Sequence, residues 1–141
     1  MRRAIVIAAA ALAACGQQGS EAPATANGAD SAGPQTYFAA EIAPVLEKQC
    51  ASCHQTGTES GNISLLPANA AAQLVNAASV EAPDLMRVVP GKPDDSYLIM
   101  KLEGTHVPRG GNGAQMPFGA APLPQATIDK FRKWIAEGAK P

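Results

Sequence analysis

Residues 50–54 read Cys50-Ala51-Ser52-Cys53-His54. A C-x-x-C-H run is the attachment signature of a c-type haem. Two thiols three residues apart reach the vinyl groups on neighbouring edges of one porphyrin, and the histidine that follows rises beneath the iron as its proximal ligand. Two rivals share part of this spacing. A thioredoxin-like redox pair also uses C-x-x-C, but within a βαβ context for which this sequence has no strands to offer. A zinc site usually gathers four ligands, and the other histidine, His106, lies too far downstream for an H-x₃₋₅-H pair. The expected cofactor is therefore one covalently attached haem c with its iron, held by Cys50, Cys53 and His54.

A sixth iron ligand has to come from further along the chain, where Met86, Met100, Met116 and His106 are available. Met100 falls inside a helical apolar pattern and reads as core, and Met86 reads as a gap-filler. Met116 follows the glycine-rich run 110–113 and precedes Pro117, in a loop without periodicity. Glycines let backbone approach a flat cofactor closely, and Pro117 restricts the residue before it. Met116 is the preferred ligand, with His106 or an open position as the alternatives.

The chain on either side is helical in pattern. Phe38, Ile42, Val45, Leu46 and Gln49 fall at helical spacing and lead straight to Cys50, with Pro44 predicting a kink or two short turns instead of a straight helix. Ile128, Phe131, Trp134 and Ile135 repeat the spacing near the other end, with Gly138 placed for a C-terminal cap. Lys130, Arg132 and Lys133 on that helix read as a solvated face. Two shorter helices are predicted over Pro67–Ala78 and Asp94–Leu102, the second capped by Asp94 or Asp95. Residues 90–93 and 109–113 are loops by composition, and no alternating strand pattern of useful length occurs. The predicted class is all-α, about four short helices with long loops around one haem.

The rest of the sequence sets the context. Met1-Arg2-Arg3 and the apolar run Ala4–Ala14 suit a secretory leader and are too short to span a bilayer. The leader ends Leu12-Ala13-Ala14-Cys15, which resembles a bacterial lipobox, so Cys15 is the expected lipidation site and residues 1–14 the signal peptide. Gly16 after the cysteine favours the outer membrane in that pattern. Residues 15–36 lack aromatic and large aliphatic side chains and read as a lipid-anchored flexible linker, about 25 Å in mean span. The folded domain is expected over 37–141. Charged residues make up 16% of the chain and aromatics 4%, so its interior must be largely aliphatic or share a cofactor's apolar bulk. With 11 basic and 12 acidic side chains, a net charge of −1 argues against nucleic acid as a partner. Three cysteines cannot build a disulfide framework.

Taken together, five stretches resemble a monohaem cytochrome c domain of the planctomycete-type variant. They are Ile42, Pro44 and Leu46; Cys50, Cys53 and His54; Val89-Pro90-Gly91-Lys92-Pro93 with Ser96; Met116-Pro117; and Trp134-Ile135 with Gly138-Ala139. The likeness covers residues 38–139, with one departure: Pro124 stands where many relatives carry a Ser or Thr helix cap. It implies the cytochrome c fold, with the first and last helices crossing beside the haem, and His54/Met116 axial ligation. With both axial positions filled, the iron cycles electrons instead of binding oxygen or peroxide. The expected function is thus electron transfer by a membrane-anchored, periplasm-facing monomer of the cell envelope, between a redox protein donor and an acceptor, with no catalytic residues. The alternatives are a haem-based redox or ligand sensor, or the haem subunit of an envelope oxidoreductase. Arg109 is a candidate partner for a haem propionate, and Pro67 for the carbonyl that orients His54. Trp134 and Tyr97 read as core.

Overall fold

The computed structural model describes residues 35–141; the expected signal peptide, Cys15 and most of the expected linker lie outside that range. Among the described residues the chain is all-α, with helices α1 (Ala43–Gln49), α2 (Pro67–Leu74), α3 (Tyr97–Glu103) and α4 (Gln125–Ala136). Strand-like pairing is confined to two isolated bridges, Val75 with Val88 and Ala78 with Met86. No helix among the described residues is long and apolar enough to cross a membrane.

Helical backbone begins at Tyr37. At Pro44 the helical run is divided, with a π-helical turn over Phe38–Ile42 preceding α1, so the chain answers the proline one turn earlier. A proline inside an α-helix lacks a donor and presses its ring on the carbonyl four residues back. The wider turn, closed by the Ala43 amide on the Phe38 carbonyl, accommodates that ring at the second position of α1. Phe38, Ile42 and Leu46 still face inward and are buried.

α4 supplies the other half of this seam. Ile128, Phe131, Trp134 and Ile135 are buried, and the Phe38 and Trp134 rings sit 5.3 Å apart, tilted by 46°. The indole N–H donates to the Lys140 carbonyl at 2.8 Å, so Trp134 closes the C-terminus on its own helix. Gly138 takes a positive φ of 100°, and its amide and that of Ala139 cap the Ile135 and Trp134 carbonyls. At the other end Pro124 lies just outside the helix, and its carbonyl accepts from Thr127 and Ile128. The departure from a Ser or Thr cap therefore leaves the start of the helix intact.

The basic residues of α4 are not simply solvated. Arg132 is bound by Asp94 at 2.7 Å and Glu103 at 2.8 Å, which ties α4 to α3 and the turn before it. Lys130 meets Glu41 at 2.7 Å, and Lys133 lies 4.6 Å above the Tyr37 ring. The two middle helices are shorter than their sequence pattern. α2 stops at Leu74, because Val75 turns extended to bridge Val88 and Asn76 takes a φ of 56°. Asp94 and Asp95 form a separate 3₁₀ turn over Pro93–Asp95 instead of capping α3. Fully buried Ser96 stands before α3, where its hydroxyl accepts from the Val89 amide and donates to the Lys92 carbonyl. That closes the loop 89–96, which the Gly91 amide joins to the Ile135 carbonyl at 2.7 Å.

Truncating Trp134 to Ala removes the seam's largest buried side chain and should lower stability by about 3–5 kcal/mol. Lys130→Ala, which breaks only an exposed pair, should change stability by less than about 1 kcal/mol in the same denaturant titration.

Candidate functional site

α1 runs into the C-x-x-C-H turn without a break. The Leu46 carbonyl accepts from both the Cys50 and Ala51 amides at 2.9 Å, and the Cys50 carbonyl then accepts from Cys53 and His54 at 3.1 Å. This tight winding leaves Cys50 half-buried and Cys53 exposed, both as free thiols. Burial first, and Cys53 second, push the Cys50 thiol up to about 11. A thioredoxin-type nucleophile needs the opposite shift, so Cys50 does not suit that role.

His54 is fixed through its backbone, whose carbonyl accepts from the Leu65 amide at 2.8 Å. Burial holds its imidazole below the ordinary histidine range, against the opposing pull of Glu59 and the Ser60 backbone. Its Nδ1 is buried and has no hydrogen-bond partner, so the Pro67 carbonyl does not orient the ring. Downstream, the Glu59 carboxylate gathers the Thr56 and Gly57 amides, and these bonds, Thr56 first, hold it down at about 2.

Cys50, Cys53, His54 and Met116 line one cavity of ≈ 430 Å³. Much of its remaining wall is aliphatic, with Ile63, Leu65, Leu74, Leu98 and Leu102 contributing. Met116 reaches it from the loop after α3; its side chain is half-buried against the main core and its amide donates to the Lys101 carbonyl at 3.0 Å. The rivals for Met116 do not line this cavity. His106 is buried with Nε2 at 3.1 Å from the Gly113 carbonyl, and Met100 is buried beside Ala82 and Tyr97. Met86 is exposed, neither packed as a gap-filler nor on this cavity. Among the described residues no three His, Cys, Asp or Glu side chains converge as metal ligands, so the zinc reading has no ligand set there.

The charged part of the wall was not legible in the sequence. Lys101, with a side chain only 9% exposed, meets Glu81 at 3.0 Å and donates to the Asn112 carbonyl at 2.9 Å. Tyr97 gives its hydroxyl proton to the same carboxylate at 2.7 Å. Burial raises the Glu81 carboxyl, but the Tyr97 and Lys101 hydrogen bonds and the Lys101 charge outweigh it and leave it lowered. Arg87 also lines the cavity, its guanidinium donating to the carbonyls of Gln73 and Gly61 at 2.9 Å and Asn62 at 3.1 Å. It joins the loop after His54 to the end of α2, and burial lowers its pKa. Arg109, a candidate partner for a haem propionate that reads equally as a solvated loop residue, is exposed and borders a different depression with Asp94, Glu103 and Arg132. Trp134 and Tyr97 are both buried, and both polar groups are spent on protein partners.

No family model matches the chain, and no curated protein or solved structure is similar enough to match it.

Burial and then the Glu81 bond and charge push the Tyr97 hydroxyl up to about 12 from an ordinary 10.0. The folded state therefore holds this proton more tightly than the unfolded one. The linked stability should be complete below pH 10 and be lost as pH rises towards 12. Ultraviolet titration should show one late tyrosinate, which Glu81→Ala returns towards the ordinary value.

Proposed function

We propose that this chain is a monohaem c-type cytochrome that passes single electrons between redox proteins of the cell envelope, anchored through a lipid on Cys15. The observation that carries the reading is the meeting of four residues on one cavity. Three come from a five-residue turn, and Met116 comes from a distant loop. The fold we read for it is the cytochrome c fold, in which the π-turn packs on α4 while α1 packs on α2 and its last residue lines the cavity.

The residues fit a haem c on three grounds. The cavity's ≈ 430 Å³ falls in the range of cofactor sites, and its largely aliphatic wall suits a porphyrin face. Both thiols of the attachment motif are free, and the exposed Cys53 stands beside the half-buried Cys50. His54 follows Cys53 directly and lines the same cavity as both thiols. Bound there, the group supplies a one-electron ferric–ferrous couple.

The protein's own part is to hold and shield. Cys50 and Cys53 would hold the porphyrin edge, His54 one axial position and the Met116 thioether the other. A neutral imidazole keeps a nitrogen lone pair free for the metal, and the depressed pKa of His54 favours that form. Methionine ligation raises the potential, and two protein ligands leave no position open to a small molecule. This favours an electron carrier over a ligand sensor or a catalytic subunit. The donor and acceptor are redox proteins that meet it in small, transient contacts.

The test is visible absorption of the holoprotein in both oxidation states, with and without carbon monoxide. The wild type should show the methionine–iron charge-transfer band and ignore the gas. Met116→Ala should lose the band and bind carbon monoxide. A wild type that takes up the gas at once would overturn the carrier reading in favour of a sensor or enzyme. Separately, Cys15→Ala should move the holoprotein from the membrane to the soluble fraction, because about 0.8 kcal/mol of anchoring per buried CH₂ is removed with the acyl chains. Retention in the membrane fraction would reject lipidation at that residue.

A further inference from the structure

The loop that carries Met116 contains little that would fix its own shape. Residues 110–113 are Gly-Gly-Asn-Gly, and no regular element follows before α4. Its position is instead written along one short neighbouring segment, Lys101–His106. The Gly111 amide donates to the His106 carbonyl at 3.0 Å, and Lys101 Nζ to the Asn112 carbonyl at 2.9 Å. His106 Nε2 stands 3.1 Å from the Gly113 carbonyl, and Gln115 Nε2 donates to the Leu102 carbonyl at 2.7 Å. The Met116 amide completes the series on the Lys101 carbonyl at 3.0 Å. Five successive bonds thus lay residues 111–116 against the end of α3 and the turn after it.

The template is itself held. Lys101 is pinned by Glu81, which Tyr97 also engages. Gly104 ends α3 at a φ of 74°, and a Cβ there would stand 2.9 Å from Gln115 Oε1, so the same glycine stops the helix and makes room for the Gln115 side chain. Gly111 lies so close to the Tyr97 ring that no side chain fits between them.

We propose that Lys101 and Gln115 are positioning residues for the sixth iron ligand, acting through the Met116 loop; this rests on the His54/Met116 reading above. Neither forms the iron bond. Lys101 fixes the loop at Asn112 by its side chain and at Met116 by its carbonyl, and Gln115 fixes it one residue before the ligand. Loss of either leaves the thioether free to leave the iron more often, which an added ligand reports by taking the position.

The experiment is imidazole titration of the ferric holoprotein, read with the methionine–iron band and with hydrogen exchange at the Met116 amide. Gln115→Ala should raise imidazole affinity ~3–10-fold, the worth of one hydrogen bond. Lys101→Met, which loses an ion pair as well, should raise it by more than ~10-fold. Both should weaken the band and speed exchange at Met116. Ile128→Val, a core change in α4 at a residue that neither lines the cavity nor bonds the loop, should lower the melting temperature and leave imidazole affinity unchanged. If Lys101→Met does not fold, Gln115→Ala decides alone. Clamp variants with wild-type affinity, band and exchange would overturn the proposal while leaving Met116 ligation intact. So would an equal rise in affinity in Ile128→Val, which would trace the effect to global stability. A wild type that lacks the band and binds imidazole as readily as Met116→Ala does would instead overturn the ligation reading, and this proposal with it.

Discussion

Lys101 carries a charge that the fold buries, and the arrangement of the loops around the cavity follows from how that charge is answered. A buried ammonium without partners is costly, and one with a single partner still has donors to place. Glu81 comes to it from the segment after α2 and Asn112 from the glycine-rich loop, while Tyr97 completes the carboxylate's shell from one turn back on α3. Two stretches with little regular structure thereby converge on one ammonium group of α3. The helical seam between Phe38 and Trp134 holds the ends of the domain, but it does not reach this side of the molecule.

The two axial candidates are placed by different physics. His54 stands next to Cys53, inside a turn wound by local hydrogen bonds to the Leu46 and Cys50 carbonyls. Its backbone is set by residues 46–54, with one further bond from the Leu65 amide. Met116 has no such local frame, and its place depends on contacts with residues more than ten positions earlier in the chain. Short-range order is formed cheaply and lost late, whereas contacts that close a loop carry an entropic penalty that only the folded domain offsets. The side of the site made by Met116 is accordingly the side where local opening should begin.

This division also explains what the sequence made legible. The C-x-x-C-H run could be picked out because its signal is a spacing, and Met116, which lines the same cavity, because glycines and a proline bracket it. The four helices could be located from their apolar periodicity, which is a local signal. Their ends could not: α2 stops where Val75 pairs with Val88, and Asp94 is drawn to Arg132 across the fold instead of capping α3. Arg87 drew no attention in the sequence because its three acceptors are backbone carbonyls, which carry no residue identity. Arg109 drew attention by standing beside the glycines, yet the 3₁₀ turn Val107–Arg109 places it on another face. The Glu81–Tyr97–Lys101 cluster joins residues with no common motif, and only the folded chain brings them together.

The π-turn before α1 has a consequence for how this domain can change. A π-turn accommodates one residue more than an α-turn, and one residue of an α-helix corresponds to about 100° of rotation. Pro44 and the widened turn therefore act as a register lock. With a donor at position 44, a regular helix becomes available to the same residues, but it turns Phe38 away from Trp134 and Glu41 away from Lys130. The proline excludes that second winding, so the face shown to α4 is set by a residue that makes no contact of its own in the seam's aromatic pair. Substitutions at position 44 and length changes within 38–42 are then not independent, because both act on the same register.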